Sequence, residues 1–127
     1  MNMPQSIAPV GSPTLKASLG DVLKRIPGAR TAVWPNGEPF ADALRHGSMS
    51  VEVFAPRGED NQSPHEQDEL YLVVSGSANF WHEGGTIPVT AGDVLFVAAG
   101  DRHRFSRMSD DFVTWVVFWG PKGGEQP

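Results

Sequence analysis

His65, Glu69 and His103 are the residues of this chain whose types and spacing best suit chemistry. His65, Gln67, Glu69 and Tyr71 recur at intervals of two. In an extended segment they share one face, with Glu66, Asp68, Leu70 and Leu72 on the other. An imidazole and a carboxylate then stand together, on a face that continues through Tyr71 and Val73 into apolar positions. A carboxylate carried into such an interior must be paired, protonated or bound to a metal, because an isolated buried charge is heavily penalised. Taken by itself, that spacing also describes a plain His–Glu pair at a strand edge.

His103 shifts the balance. It opens another strand-like segment directly after a glycine-containing turn, with Phe105 and Arg107 on its own face. If the two strands lie side by side in a small barrel, three ligands converge. Two neutral imidazoles and one carboxylate suit one divalent ion of iron, manganese, nickel or zinc, and leave coordination positions open for water or substrate. Gln62 or Gln67 is a candidate for a further, weaker oxygen ligand. Tyr71, Phe105, Trp115 and Trp119 are candidates to line a pocket for a small organic ligand. Arg107, if inward, can neutralise an anionic group on that ligand. His82, near a hairpin tip, and His46, before Gly47, are assigned no role, and Asp93 is read as a turn residue.

The surrounding pattern is that of short strands. Residues 48–55 (SMSVEVFA) alternate, with Met49, Val51 and Val53 on one face and Ser50, Glu52 and Phe54 on the other. Further strands are expected over residues 31–34, 69–74, 79–83, 86–89, 94–98, 103–107 and 112–119. Polar residues 57–64 form a loop, and Gly84-Gly85 joins a hairpin. That makes eight short strands, as in a sandwich or jelly roll. Leu19, Val22, Leu23 and Ile26 have helical spacing, with Ser18 placed to cap and Pro27-Gly28 to stop the helix. Residues 1–14 are expected to be a flexible arm, 15–120 one barrel domain, and 121–127 a disordered tail. In ELYLVV and FVTWVVFW both faces are apolar, so both must be covered: one by the barrel interior, the other by the helix or a second subunit. A homodimer is the expectation.

The chain resembles the cupins, specifically the small one-domain kind built on a single conserved barrel. For the first family motif, Gly58 opens the loop, His65 matches the second histidine, Glu69 the glutamate and Gly76 the closing glycine. For the second, Gly92, Gly100 and His103 match. The resemblance spans about residues 45–120 and implies an all-β fold, a double-stranded β-helix or jelly-roll barrel, with a metal at His65, Glu69 and His103. Three positions depart from the pattern. Ser63 stands where the first histidine belongs, Ala98 replaces the turn proline, and Arg107 replaces the closing asparagine. The family includes dioxygenases, isomerases, decarboxylases and lyases, so the fold does not choose the reaction.

Composition bounds the rest. The chain has 127 residues, a net charge of −5, and no cysteine. Its length suits one domain. Without cysteine there is no disulfide framework, thiolate zinc site or Cys nucleophile. No block of Lys or Arg marks a nucleic-acid surface, and the longest apolar run is too short to span a bilayer. The N-terminus lacks the pattern of a signal peptide, so a cytoplasmic location is the default. No phosphate loop or nucleophile elbow is present. The function expected first is a metal-dependent enzyme acting on a small organic molecule, dioxygenase-like from its ligand set. A non-catalytic binding or sensing barrel, or an isomerase or lyase, are the alternatives.

Overall fold

The computed structural model describes residues 15–127. The arm expected over residues 1–14 lies outside the described residues. One short helix, α1 (Leu19–Leu23), precedes eight strands: β1 (Phe40–His46), β2 (Met49–Phe54), β3 (Asp68–Ser75), β4 (Ser77–His82), β5 (Gly85–Thr90), β6 (Val94–Val97), β7 (His103–Ser106) and β8 (Val113–Trp119). They form a five-stranded sheet in the order β1-β2-β8-β3-β6 and a three-stranded sheet in the order β5-β4-β7, every pair antiparallel. This is the expected jelly roll.

Period-two alternation decides what faces inward. Along β3, Glu69, Tyr71 and Val73 are buried; along β8, Thr114, Val116 and Phe118; along β7, His103 and Phe105. These meet Phe54, Phe80 and Phe112 in one core between the sheets. Burying each such aromatic side chain contributes on the order of 1.5–3 kcal/mol. Gly76 makes the β3–β4 turn at φ +76, where a Cβ would lie 2.4 Å from the Ser109 hydroxyl and 2.7 Å from the Phe112 backbone. Only glycine fits a left-handed turn pressed that closely against a neighbouring loop.

Three local expectations need correction. Residues 31–34 form a turn, not a strand: the Thr31 amide donates to the Trp34 carbonyl, and the Trp34 amide to the Thr31 hydroxyl. The first strand is instead β1, whose bulge between Asp42 and Leu44 interrupts the alternation that would have announced it. Residues 121–127, expected to be disordered, fold back on the start of β3. The Gly123 amide donates to the Glu66 carbonyl at 2.7 Å and the Glu125 amide to the Asp68 carboxylate at 2.8 Å. Asp68 needs donors because it sits buried at the sheet's end, and the tail supplies one.

Helix α1 is shorter than its apolar spacing suggested, and the Ser18 side chain makes no cap hydrogen bond. Its apolar face still does the expected work. Val22 is buried, with Leu19, Leu23 and Ile26 packed over Val53, Val113 and Trp115 on the outer face of the large sheet. Farther along that face Val94 and Phe96 remain exposed on the edge strand β6. Among the described residues no helix is long and apolar enough to cross a membrane.

Candidate metal centre

Two connections bring the three chemical groups together. His65 is in the loop before β3, Glu69 is the second residue of β3, and His103 is the first of β7. The turn between β6 and β7 is pinned to the front of β3 by two hydrogen bonds. The Gly100 amide donates to the His65 carbonyl at 2.8 Å, and the Ala99 amide to the Asp68 carboxylate at 3.0 Å. The turn carrying one histidine is therefore tied to the backbone of the other. The strand alternation inferred from His65 onward begins only at Asp68; His65 reaches the site from a bend, and its backbone bond to Gly100 sets its place.

Candidate ligand atoms of His65, Glu69 and His103 all lie within 4.8 Å of one another. His65 Nδ1 is 3.3 Å from Glu69 Oε2, and His103 Nε2 touches Glu69 Oε1. His103 Nδ1 lies 2.8 Å from the Asp101 carbonyl. A carbonyl can only accept, so Nδ1 carries the proton and Nε2 is the atom aimed at the site. The decisive test of fit is hydrogen bonding: His65 Nδ1 and Glu69 Oε2 are buried and have no hydrogen-bond partner. Buried polar atoms are normally satisfied. Two orphans facing each other beside a third donor, Nε2 of His103, form a candidate His-His-Glu metal-binding group, and the donor set suits iron, manganese, nickel or zinc.

Without an ion, the pair neutralises itself. Burial pushes the Glu69 carboxyl up, but the adjoining His103 and His65 more than offset this and hold it below its usual range. Burial likewise pulls His103 down, and Glu69 more than reverses that, so the imidazole holds its proton above the usual histidine range. Tyr71 closes the cluster. Its hydroxyl lies 3.0 Å from Gln62 Oε1, 3.0 Å from His103 Nε2 and 3.3 Å from Glu69 Oε1. Burial, then Glu69, keep the phenol well above its ordinary pKa of 10, so it stays a donor.

The remaining predicted residues divide. Gln62 and Tyr71 belong to the site, Gln62 through Tyr71. Gln67 lines the same pocket, but its amide donates to the Ser48 and Gly120 carbonyls, which keeps it at the rim. Phe105 packs edge-on against Tyr71 at 5.0 Å as core. Arg107, which could serve a ligand only if inward, is instead a solvated strand end, exposed at φ 51 just beyond β7. Trp115, proposed for the pocket, points to the outer face under α1, since its strand neighbours Thr114 and Val116 take the inward positions. Trp119 lies tilted against Phe96 on that outer side, ring centroids 6.2 Å apart. Ser63, in place of the usual histidine, is an exposed residue of the pocket wall. His82 pairs with Asp101 at 2.8 Å, outside the triad.

Two residues were missed. Asp60 is a buried loop carboxylate that accepts from the Gln62 amide at 3.1 Å, its side-chain nitrogen at 2.6 Å and the Phe105 amide at 2.8 Å. Its loop reads as merely polar; only tertiary contacts reveal it. Glu52 was visible in the alternation, since it shares a face with Phe54, yet an acidic residue in a half-covered strand usually faces water. It instead lines a cavity of about 730 Å³ together with Trp34, Phe54, His65, Tyr71 and Phe118. Glu69 and His103 are buried behind this lining.

Burial, then Asp42, push the Glu52 carboxyl up to about 7. A raised carboxyl favours folding while protonated, so its contribution is complete below about pH 4.5 and is lost as pH rises through 7. In chelator-treated protein Glu52→Gln is expected to raise stability at pH 8 by about 1–2 kcal/mol, discounted for partial exposure, and to do little at pH 4.5. Urea unfolding at both pH values checks this; an equal effect at both contradicts it.

With the geometry defined, the chain can be placed among known proteins. It belongs to the cupin family: the family model described as a cupin domain matches residues 50–119. It is similar to an uncharacterized protein of Streptomyces coelicolor, 39% identical over 89 residues, covering 68% of this chain and 85% of the relative. It is also similar to an HTH-type transcriptional activator, RhaS, of Yersinia pestis, 30% identical over 73 residues, or 58% of this chain, but it spans only 27% of that protein's length. Among solved structures, a cupin superfamily protein of Desulfitobacterium hafniense aligns over 87% of this chain and 96% of its own, with TM-score 0.57 and 18% identity. A candidate mannose-6-phosphate isomerase of Ralstonia eutropha aligns over 74% of this chain and 100% of its own, with TM-score 0.52 and 29% identity.

Proposed function

We propose that this cupin is a metal-dependent enzyme acting on a small organic molecule, with iron-dependent oxygenation the first reaction class to test. The observation that carries this reading is the pair of orphaned ligand atoms, His65 Nδ1 and Glu69 Oε2, beside the oriented Nε2 of His103. His65, Glu69 and His103 hold the ion; when bound, it supplies Lewis acidity and, as iron, one-electron redox chemistry. The chain's own groups do the rest. Tyr71 presents a phenolic proton beside the ligands, and Phe54, Phe118 and Trp34 give the cavity an apolar wall for the body of a small ligand.

The test starts from protein purified without a histidine tag. About one equivalent of iron, manganese, nickel or zinc per chain is expected, and anaerobic Fe(II) loading followed by oxygen exposure should consume oxygen with some member of a panel of diketones, phenols and thiols. No uptake across the panel rejects oxygenation. A second reading, a binding or sensing barrel, draws on the similarity to a transcriptional activator; saturable ligand binding without turnover would favour it. An isomerase reading draws in the same way on the Ralstonia structure.

A second copy of the chain is the partner proposed for the outer face. Val94 and Phe96 are 57% and 58% exposed on the edge strand, continuous with half-buried Leu70, Leu72 and Val117. A self-complementary apolar sheet face suits a two-fold dimer. Light scattering after gel filtration should give twice the chain mass for the wild type and the single mass for Phe96→Lys; a monomeric wild type rejects the dimer.

A further inference from the structure

Glu52 is the cavity-lining acidic group whose carboxylate no side chain pairs among the described residues. In the register of the large sheet it lies opposite Val116, and Val116 lies opposite Tyr71. The adjoining row is Ser50, Phe118 and Glu69. Glu52 is therefore on the inward face, one row from the candidate metal ligand. Ser50, Glu52 and Phe54 line the cavity in turn.

Its neighbours are already committed. Lys122 pairs with Glu66 at 3.0 Å, both exposed. Arg45 pairs with Asp42 at 3.0 Å on the adjacent strand, and Asp42, directly opposite Glu52, adds like charge. Glu69 and His65 face each other in the metal group. The Glu52 carboxylate itself makes no side-chain hydrogen bond or ion pair among the described residues; the charges of His65 and Arg45 favour its ionised form but do not offset burial and Asp42. A half-buried carboxylate beside aromatic walls, with an acidic neighbour and no ion pair, is costly unless a ligand supplies the missing charge.

We infer that Glu52 is the group by which the cavity selects its ligand, receiving the protonated amine of a small organic cation whose apolar body lies against Trp34, Phe54 and Phe118. The inference rests on reading this cavity as the small-molecule site, and it is independent of which metal is held. An ammonium group donates a charge-assisted hydrogen bond to the Glu52 carboxylate and gains attraction to the aromatic faces. An anionic ligand meets the unpaired carboxylate of Glu52 and is turned away.

Two probes of similar shape and opposite charge test this: benzylamine and benzoate, titrated into the full chain at pH 8 and followed by amide chemical shifts. The wild type should bind benzylamine saturably and prefer it to benzoate. Glu52→Gln should move the ratio of the two dissociation constants toward benzoate by about tenfold, the worth of one charge-assisted hydrogen bond, while Glu52→Asp keeps part of the preference. A ratio that moves less than about threefold, or no saturable binding of benzylamine by the wild type, overturns it. Metal content, measured on the same samples, should be equal in wild type and Glu52→Gln. Protein that discriminates the probes yet holds no metal sustains this inference while rejecting the proposed metal enzyme.

Discussion

His103→Ala is expected to weaken divalent-metal binding by well over 100-fold. Disturbing a group that only orients a ligand commonly costs about 10–100-fold; here a ligand itself is lost, and only His65 and Glu69 remain. The substitution also strips Glu69 of its closest partner inside the protein. Competition against a fluorescent chelator measures the affinity, and His65→Ala should fall in the same direction. Affinity in the wild type should rise with pH, because His103 holds its proton above the usual histidine range and must release it for Nε2 to ligate. Retained affinity in both variants, or binding indifferent to pH, removes the metal from this site.

Asp60→Ala is expected to destabilise the fold by about 3 kcal/mol or more. Three donors converge on that carboxylate: the Gln62 amide, the Gln62 side chain and the buried Phe105 amide. Leaving a buried donor unsatisfied costs about 1–3 kcal/mol each, and no nearby water-facing route serves Phe105, which is 2% exposed. Burial pushes the Asp60 carboxyl above its usual range, partly countered by these bonds, so Asp60→Asn should be milder than Asp60→Ala. Urea unfolding midpoints compare the two. Equal and small effects would show that the loop contributes little to the fold.

Much of this architecture was legible in the sequence because alternation and turn chemistry are local. The hairpin around Gly84, the strand of Glu69 and Tyr71, and the inward place of His103 all follow from period two and from glycine. What escaped was non-local. β1 carries a bulge that breaks its rhythm, and its residues Ala41, Ala43 and Leu44 do not favour a strand by type. Asp60 and Glu52 are ordinary acidic residues until packing encloses them. Trp115 could be assigned to a strand but not to a face, since β8 is apolar on both sides and periodicity cannot then tell inside from outside. Arg107 lies one residue beyond β7, where the alternation that would have turned it inward has already ended.

Asp60 ties two walls of the barrel to a single anchor. Its carboxylate accepts from the Phe105 amide and from the Gln62 side chain, and Gln62 Oε1 accepts in turn from the Tyr71 hydroxyl, which stands 3.0 Å from His103 Nε2. A loop remote in sequence thereby braces both β7, by its backbone, and the phenol beside the candidate ligand nitrogen, so a disturbance of that loop is felt at the metal group without any contact to it.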